Sequence, residues 1–219
     1  MQDDKMETAL NSVKNVLFCN TLEKSQEAYT NWSDGYDSEL GSLHYQLPQH
    51  SAKMFAKYVK NSKTVLDAGA GTGKVAQELR EKHGYEGILD LLDANLDMLA
   101  LADKKGLQIR NIIRHWINET GELPVKNENY DVIMCVGSFI PNHIPASALK
   151  GMLNSLKRDG WMIFTTRTST TDSYKTELED VIQDLIDRRA IELVEKEEHL
   201  HFPNASKEIF SAVFVVRKL

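Results

Sequence analysis

Residues 65–73 read Val-Leu-Asp-Ala-Gly-Ala-Gly-Thr-Gly, an apolar strand with an acid at its carboxyl end and then a glycine-rich turn opening a helix. Glycine adopts left-handed dihedrals cheaply and carries no side chain to keep a ligand off the backbone, so such a turn suits a nucleotide cofactor. The dinucleotide fingerprint G-x-G-x-x-G/A requires Gly or Ala at its last position, and this chain has Lys74 there. An NAD-dependent oxidoreductase sharing the doubly wound arrangement is disfavoured on that ground. The glycines fall instead as Gly69, Gly71 and Gly73, with Asp67 two residues ahead of the first.

A second acid extends the pattern. The apolar run 88–92 ends in Asp93, twenty positions beyond Gly73 (93 − 73 = 20). A carboxylate at the tip of the second strand can accept hydrogen bonds from both ribose hydroxyls. A helix N-cap or a solvated turn is the other use of such an Asp. Helices and strands alternate from there. Helices are expected over 74–83, ending near Gly84, and over 95–105, stopped by Gly106. A third strand lies within 107–117, and 130–136 is apolar along its length, as a strand covered on both faces should be. A helix over 145–157, a turn at 158–160, a strand over 161–165 and a helix over 171–189 follow. Strands 191–202 and 209–216 close the chain, joined by the turn Pro203-Asn204-Ala205-Ser206.

The G-x-G-x-G turn with its preceding acid resembles motif I of the class I S-adenosylmethionine (SAM)-dependent methyltransferases. Residues 156–164 resemble that family's L-k-p-G-G-x-l entry to strand five, with Asp159 in place of the first glycine. The resemblance covers 48–219. It implies an α/β Rossmann-like sandwich whose seven-stranded, mostly parallel sheet has the order 3-2-1-4-5-7-6, with helices on both faces. It also implies SAM as cofactor and S-adenosylhomocysteine as product. On the family's pattern Asp67 lies near the methionine amino group, the backbone at Ala68, Gly69 and Gly71 borders the amino-acid moiety, and Gly73 is also at the cofactor. Asp93 takes the ribose, Ala94 and Met98 flank adenine, and Trp116, Ile117 and Asn118 border the base. Asn118 would hydrogen-bond the exocyclic amine, although the family usually has an acidic tract there, and Trp116 as plain core is the alternative. Val136, Gly137 and Ser138 leave strand four on the methyl side. His143, five residues beyond Ser138, is the candidate general base, since imidazole accepts a proton near neutral pH; a structural His is the alternative.

Residues 1–47 stand outside this core as a helical cap or lid. Met6, Leu10, Val13 and Leu17 recur at helical spacing, and Tyr29, Trp32 and Tyr36 lie three and four apart, which would place them on one face. The run 32–37 is similar to the W-a-x-x-Y-D segment with which many small-molecule methyltransferases fold across the cofactor, so Trp32 and Tyr36 are expected at the cofactor. Tyr36 and His44 are further candidates for the base, at the lid. This tract, with 136–139 and His143, resembles the narrower group of methyltransferase-like proteins encoded in the Williams–Beuren chromosomal region.

With Cys19 and Cys135 as its two cysteines, the chain has no disulfide framework, and Cys135 lies within an apolar strand. No apolar run is long enough to cross a bilayer and the first residues lack a secretory leader, so a cytoplasmic, intracellular protein is expected, with the nucleus not excluded. A formal net charge of −6 disfavours nucleic acid as a partner. A monomer or weak oligomer is expected. The Pro-Pro tetrad of amine and amide methylation after strand four is absent, as are a Pro-Cys nucleophile and metal-ligand spacing. Metal-free transfer to O, N or S of a small molecule, or of a protein side chain, remains. A SAM-binding, non-catalytic partner protein is the alternative.

Overall fold

The computed structural model describes residues 2–19, 21–169, 173–205 and 208–219. Two helices come first, α1 (Gln2–Leu17) and α2 (Leu22–Ser42), then α3 (Leu47–Tyr58) leading into β1 (Thr64–Ala68). The helix α4 (Lys74–Gln77) widens into a π-type turn over Glu78–Lys82 before β2 (Ile88–Asp93), α5 (Leu96–Asp103) and β3 (Asn111–Arg114). Then come β4 (Tyr130–Cys135), α6 (Ala148–Met152), β5 (Leu156–Arg167), α7 (Ser173–Asp187), β6 (Ile191–Leu200) and β7 (Phe210–Lys218).

These strands form one seven-stranded sheet of order β3-β2-β1-β4-β5-β7-β6, as expected, with β7 antiparallel to both its neighbours and the other pairings parallel. Alternate side chains feed the two faces. Leu66, Leu92, Ile133 and Phe164 pack with Leu149, Leu178 and Ile182 of α6 and α7. Val65, Leu91, Val132 and Ile163 pack with Phe55, Leu79 and Leu99 on the opposite side. Cys135 is a buried free thiol in the first of these cores.

Several limits differ from the sequence expectation. The third strand shrinks to four residues because β3 is a sheet edge, pairing among the described residues with β2 alone. It is held from within by Asp90, buried, which accepts from Asn111 N (3.0 Å), Arg110 Nε (2.9 Å) and the Tyr130 hydroxyl (2.7 Å). The helix expected over 145–157 is only α6 and a 3₁₀ turn, since β5 already begins at Leu156. The expected turn at 158–160 is a bulge inside β5: Tyr130 pairs with Leu156 and Val132 with Trp161, so Asp131 opposes four residues, and Asp159 takes φ 60°. For the helix expected over 171–189, residues 171 and 172 lie outside the described residues, as does Ser206 of the last turn.

In α1 the buried stripe is Ala9, Val13 and Val16, with Met6, Leu10 and Leu17 flanking it. That stripe packs on Trp32 and Leu40 of α2 and on Phe202 from the β6–β7 connection, a small separate core. Thr21 caps α2 by accepting from Lys24 N, and the helix runs unbroken through 32–37. Among the described residues no helix is long and apolar enough to cross a membrane.

Candidate active site

A cavity of about 900 Å³, counting its mouth, opens at the carboxyl ends of β1, β2, β3 and β4. Its floor is the turn from Gly69 to Thr72, where Gly69, Gly71 and Gly73 take φ 73°, 53° and 77°. A Cβ at Gly69 would collide with the Ser138 side chain, whereas one at Gly71 would meet nothing within 4 Å. The backbone at Gly71 is therefore bare toward a ligand. Asp93 Oδ2 accepts from Gly71 N and its Oδ1 accepts from Asn95 N, both at 2.8 Å. Each oxygen keeps a lone pair for a further donor. Burial raises the Asp93 pKa, against the downward pull of those amides. Asn95 in turn caps α5, its Oδ1 accepting from Asp97 N and Met98 N at 3.0 Å, which fixes Met98 in the wall.

Asp67 lies fully buried at the end of β1, and among the described residues neither carboxylate oxygen has a partner at full hydrogen-bond geometry. Burial pushes its pKa up to about 8, the charge of Asp93 adds to that, and the Ala76 amide opposes it. A cationic group of a ligand would supply the missing partner. An orphaned carboxylate, a bare glycine turn and an acid with two free lone pairs fit the amino, backbone-facing and ribose parts of SAM respectively.

Gly69, Gly71, Asp93, Ala94, Met98, Trp116, Ile117, Val136, Gly137, Ser138, Tyr36 and His143 all line the cavity. The other expected residues do not, for separate reasons: Asp67 is fully buried at the end of β1, behind the lining. Trp32 turns into the α1–α2 core, where its Nε1 donates to Glu39 at 2.8 Å and its ring lies 4.6 Å from that of Tyr36. Ala68 is buried in the sheet core. Gly73 serves helix packing, since a Cβ there would meet that of Ala102 at 3.0 Å. Asn118 is exposed and folds onto its own turn, accepting from Thr120 N (3.0 Å) and Oγ1 (2.7 Å). His44 is exposed at the exit of α2 with φ 55°.

Helix α2 forms the roof. Ser25, Gln26, Tyr29 and Tyr36 face the cavity, and Tyr45 follows from the loop beyond, its hydroxyl 2.5 Å from where a Gly137 Cβ would stand. Of these, Tyr36 was expected at the cofactor and Tyr29 on the same aromatic face, whereas Ser25, Gln26 and Tyr45 were not. Among the described residues, polar ties hold the roof down at three places: Asp37, the start of α5 and His143. Asp37 accepts from Thr72 Oγ1 and from Lys105 Nζ, each at 2.6 Å, with Lys74 Nζ at 3.5 Å. Burial raises the Asp37 pKa, but these partners outweigh it and hold the carboxyl below its ordinary value. Thr30 Oγ1 donates to Asp97 (2.7 Å) and Asn95 Nδ2 donates to the Gln26 carbonyl (3.0 Å). The third tie joins the Tyr29 hydroxyl to His143 Nε2 at 2.7 Å.

Within His143 the hydrogen bonds fix the tautomer. Nδ1 lies 2.9 Å from the Pro141 carbonyl, which can only accept, so Nδ1 carries the proton. Nε2 is then the acceptor and Tyr29 donates to it. Burial lowers the His143 pKa, so the ring is neutral, although the Pro141 carbonyl pulls the other way.

A model of the methyltransferase domain matches residues 36–207. Human methyltransferase-like protein 27 is 29% identical over 170 residues, covering 75% of this chain and 66% of that one. The ubiquinone biosynthesis O-methyltransferase of Hydrogenovibrio crunogenus is 26% identical over 166 residues, covering 75% and 67%. The chain thus spans about two thirds of the length of these relatives. Among solved structures, a methyltransferase in complex with the Trm112 methyltransferase activator of Haloferax volcanii superposes with a TM-score of 0.62 at 18% identity, covering 85% of this chain and 96% of that one.

Proposed function

The chain belongs to the SAM-dependent methyltransferases, and from that membership we propose that it transfers the SAM methyl group to an O, N or S atom of a small molecule. The observation that carries this reading is the roofed cavity: α2 lies across the glycine turn and leaves a space for an acceptor smaller than a folded domain. SAM supplies an activated methyl; the protein's part is to hold the acceptor in line with it and to keep water out. Asp93 and the backbone at Gly71 position the donor, Asp67 meets its amino group, and Met98 with Ile117 walls the base. His143 serves as the base for acceptors that lose a proton, and α2 acts as a lid that orders over the bound cofactor. A protein side chain as acceptor is the second arm of the test.

The experiment is incubation with tritium-labelled SAM and a cell extract, followed by separation of metabolites from macromolecules. Label in a metabolite fraction supports this reading. Label only in protein moves the acceptor to a side chain. SAM binding without transfer makes the chain a non-catalytic SAM-binding protein.

A further inference from the structure

The geometry points to Tyr29 as the catalytic residue that receives the acceptor's proton, with His143 as the base behind it. This rests on the proposed methyl transfer and refines where its proton goes. His143 Nε2 is the ring's one free lone pair, and the Tyr29 hydroxyl occupies it at 2.7 Å when α2 is down. An acceptor in the roofed cavity therefore meets the phenol oxygen, which has a lone pair unused among the described residues, in front of the imidazole. The ring of Tyr29 lines the same cavity as Gly137, Ser138 and Tyr36, and sits edge-on to His143 with centroids 5.6 Å apart.

A buried tyrosine alone is a poor base, because burial raises its pKa far above neutrality. Coupled to a neutral imidazole it need never carry a full negative charge. In the transfer step the acceptor's lone pair forms the bond to the methyl carbon, and the carbon–sulfur bond breaks with its pair returning to sulfur. The acceptor's proton moves to the Tyr29 oxygen while the Tyr29 proton moves to Nε2. The products are the methylated acceptor, the neutral thioether and His143 imidazolium, whose Nδ1–H stays on the Pro141 carbonyl. Since Tyr29 belongs to the roof, the proton path is complete only when the roof is closed.

The test uses the full chain as wild type, Tyr29→Phe, His143→Gln and the double variant. S-adenosylhomocysteine affinity by calorimetry should stay within about threefold throughout, because the ring of Phe keeps the packing on Tyr36. Label transfer to the metabolite fraction should fall about 100-fold in each single variant and little further in the double, since the two side chains act as one unit. Tyr29→Phe with a rate near wild type, or losses that multiply in the double variant, would overturn the proposal. A wild type that transfers no label defeats the methyl-transfer reading instead, and the dyad is then judged by nitrogen NMR of His143 in the S-adenosylhomocysteine complex. Loss of the Tyr29 hydroxyl should raise the His143 pKa and mix its tautomers; an unmoved titration would remove the hydrogen bond and the proposal with it.

Discussion

Asp37 accepts a 2.6 Å hydrogen bond from the hydroxyl of Thr72, tying the helix over the cavity directly to the glycine turn beneath it. Lys105 and Lys74 close on the same carboxylate, so one roof residue gathers contacts from the turn, α4 and the end of α5. Asp37→Asn keeps an acceptor for Thr72 but loses the charge. With the carboxylate partly exposed, the change should cost roughly 0.5–1 kcal/mol of the roof's hold. Hydrogen exchange of α2 amides should speed up, and S-adenosylhomocysteine should restore most of the protection. Exchange that is identical in both proteins, with and without that ligand, would make α2 a fixed cover rather than a lid.

A second expectation concerns Asp67. Its pKa near 8 in the free protein means that it is largely protonated at neutral pH, and a cationic partner would lower that value. Ligand binding near neutral pH should therefore release a proton to the buffer. Calorimetry in buffers of different ionisation enthalpy reads the release, and Asp67→Asn should abolish it. The sign for stability is fixed as well. An acid with its folded pKa raised holds a proton that the unfolded chain has lost, so the free protein should lose stability as pH rises from about 4 to about 8 on this group's account.

The stacked pair His50 and His199, 3.5 Å between ring centroids, predicts the opposite slope on the acid side. Burial, then the neighbouring His199 and Lys53, lower the His50 pKa to about 4, with Glu197 opposing. The folded chain thus keeps His50 neutral where the unfolded chain would protonate it. Its contribution is intact above about pH 6.5 and is lost as pH falls toward 4. Thermal melts of wild type and His50→Gln over that interval should converge at the acid end. Parallel curves would show that the stack contributes no pH dependence.

The strands and the glycine turn were legible because both rest on local signals, apolar runs covered on two faces and an acid set two residues before a glycine; the sheet order followed only from the family resemblance that those motifs carry. Asp93 was legible for the same reason, and the structure adds that Asn95 is the cap which aims it. Trp32 shows where local spacing runs out. Residues 29, 32 and 36 share a broad helical face, but docking of α1 claims Trp32 and leaves Tyr29 and Tyr36 to the cavity. Asn118 was lost to its own turn, a competition that short polar side chains often win. The contact of Tyr29 with His143 spans 114 residues, and no periodicity encodes it.

Titration calorimetry of SAM against wild type and Asp93→Ala tests the central claim most directly. The account predicts one SAM site, no comparable binding of NAD, and a loss of about 1–3 kcal/mol in the variant, since the two ribose hydroxyls lose a charged acceptor. NAD binding as tight as SAM, or SAM bound unchanged by Asp93→Ala, would contradict it.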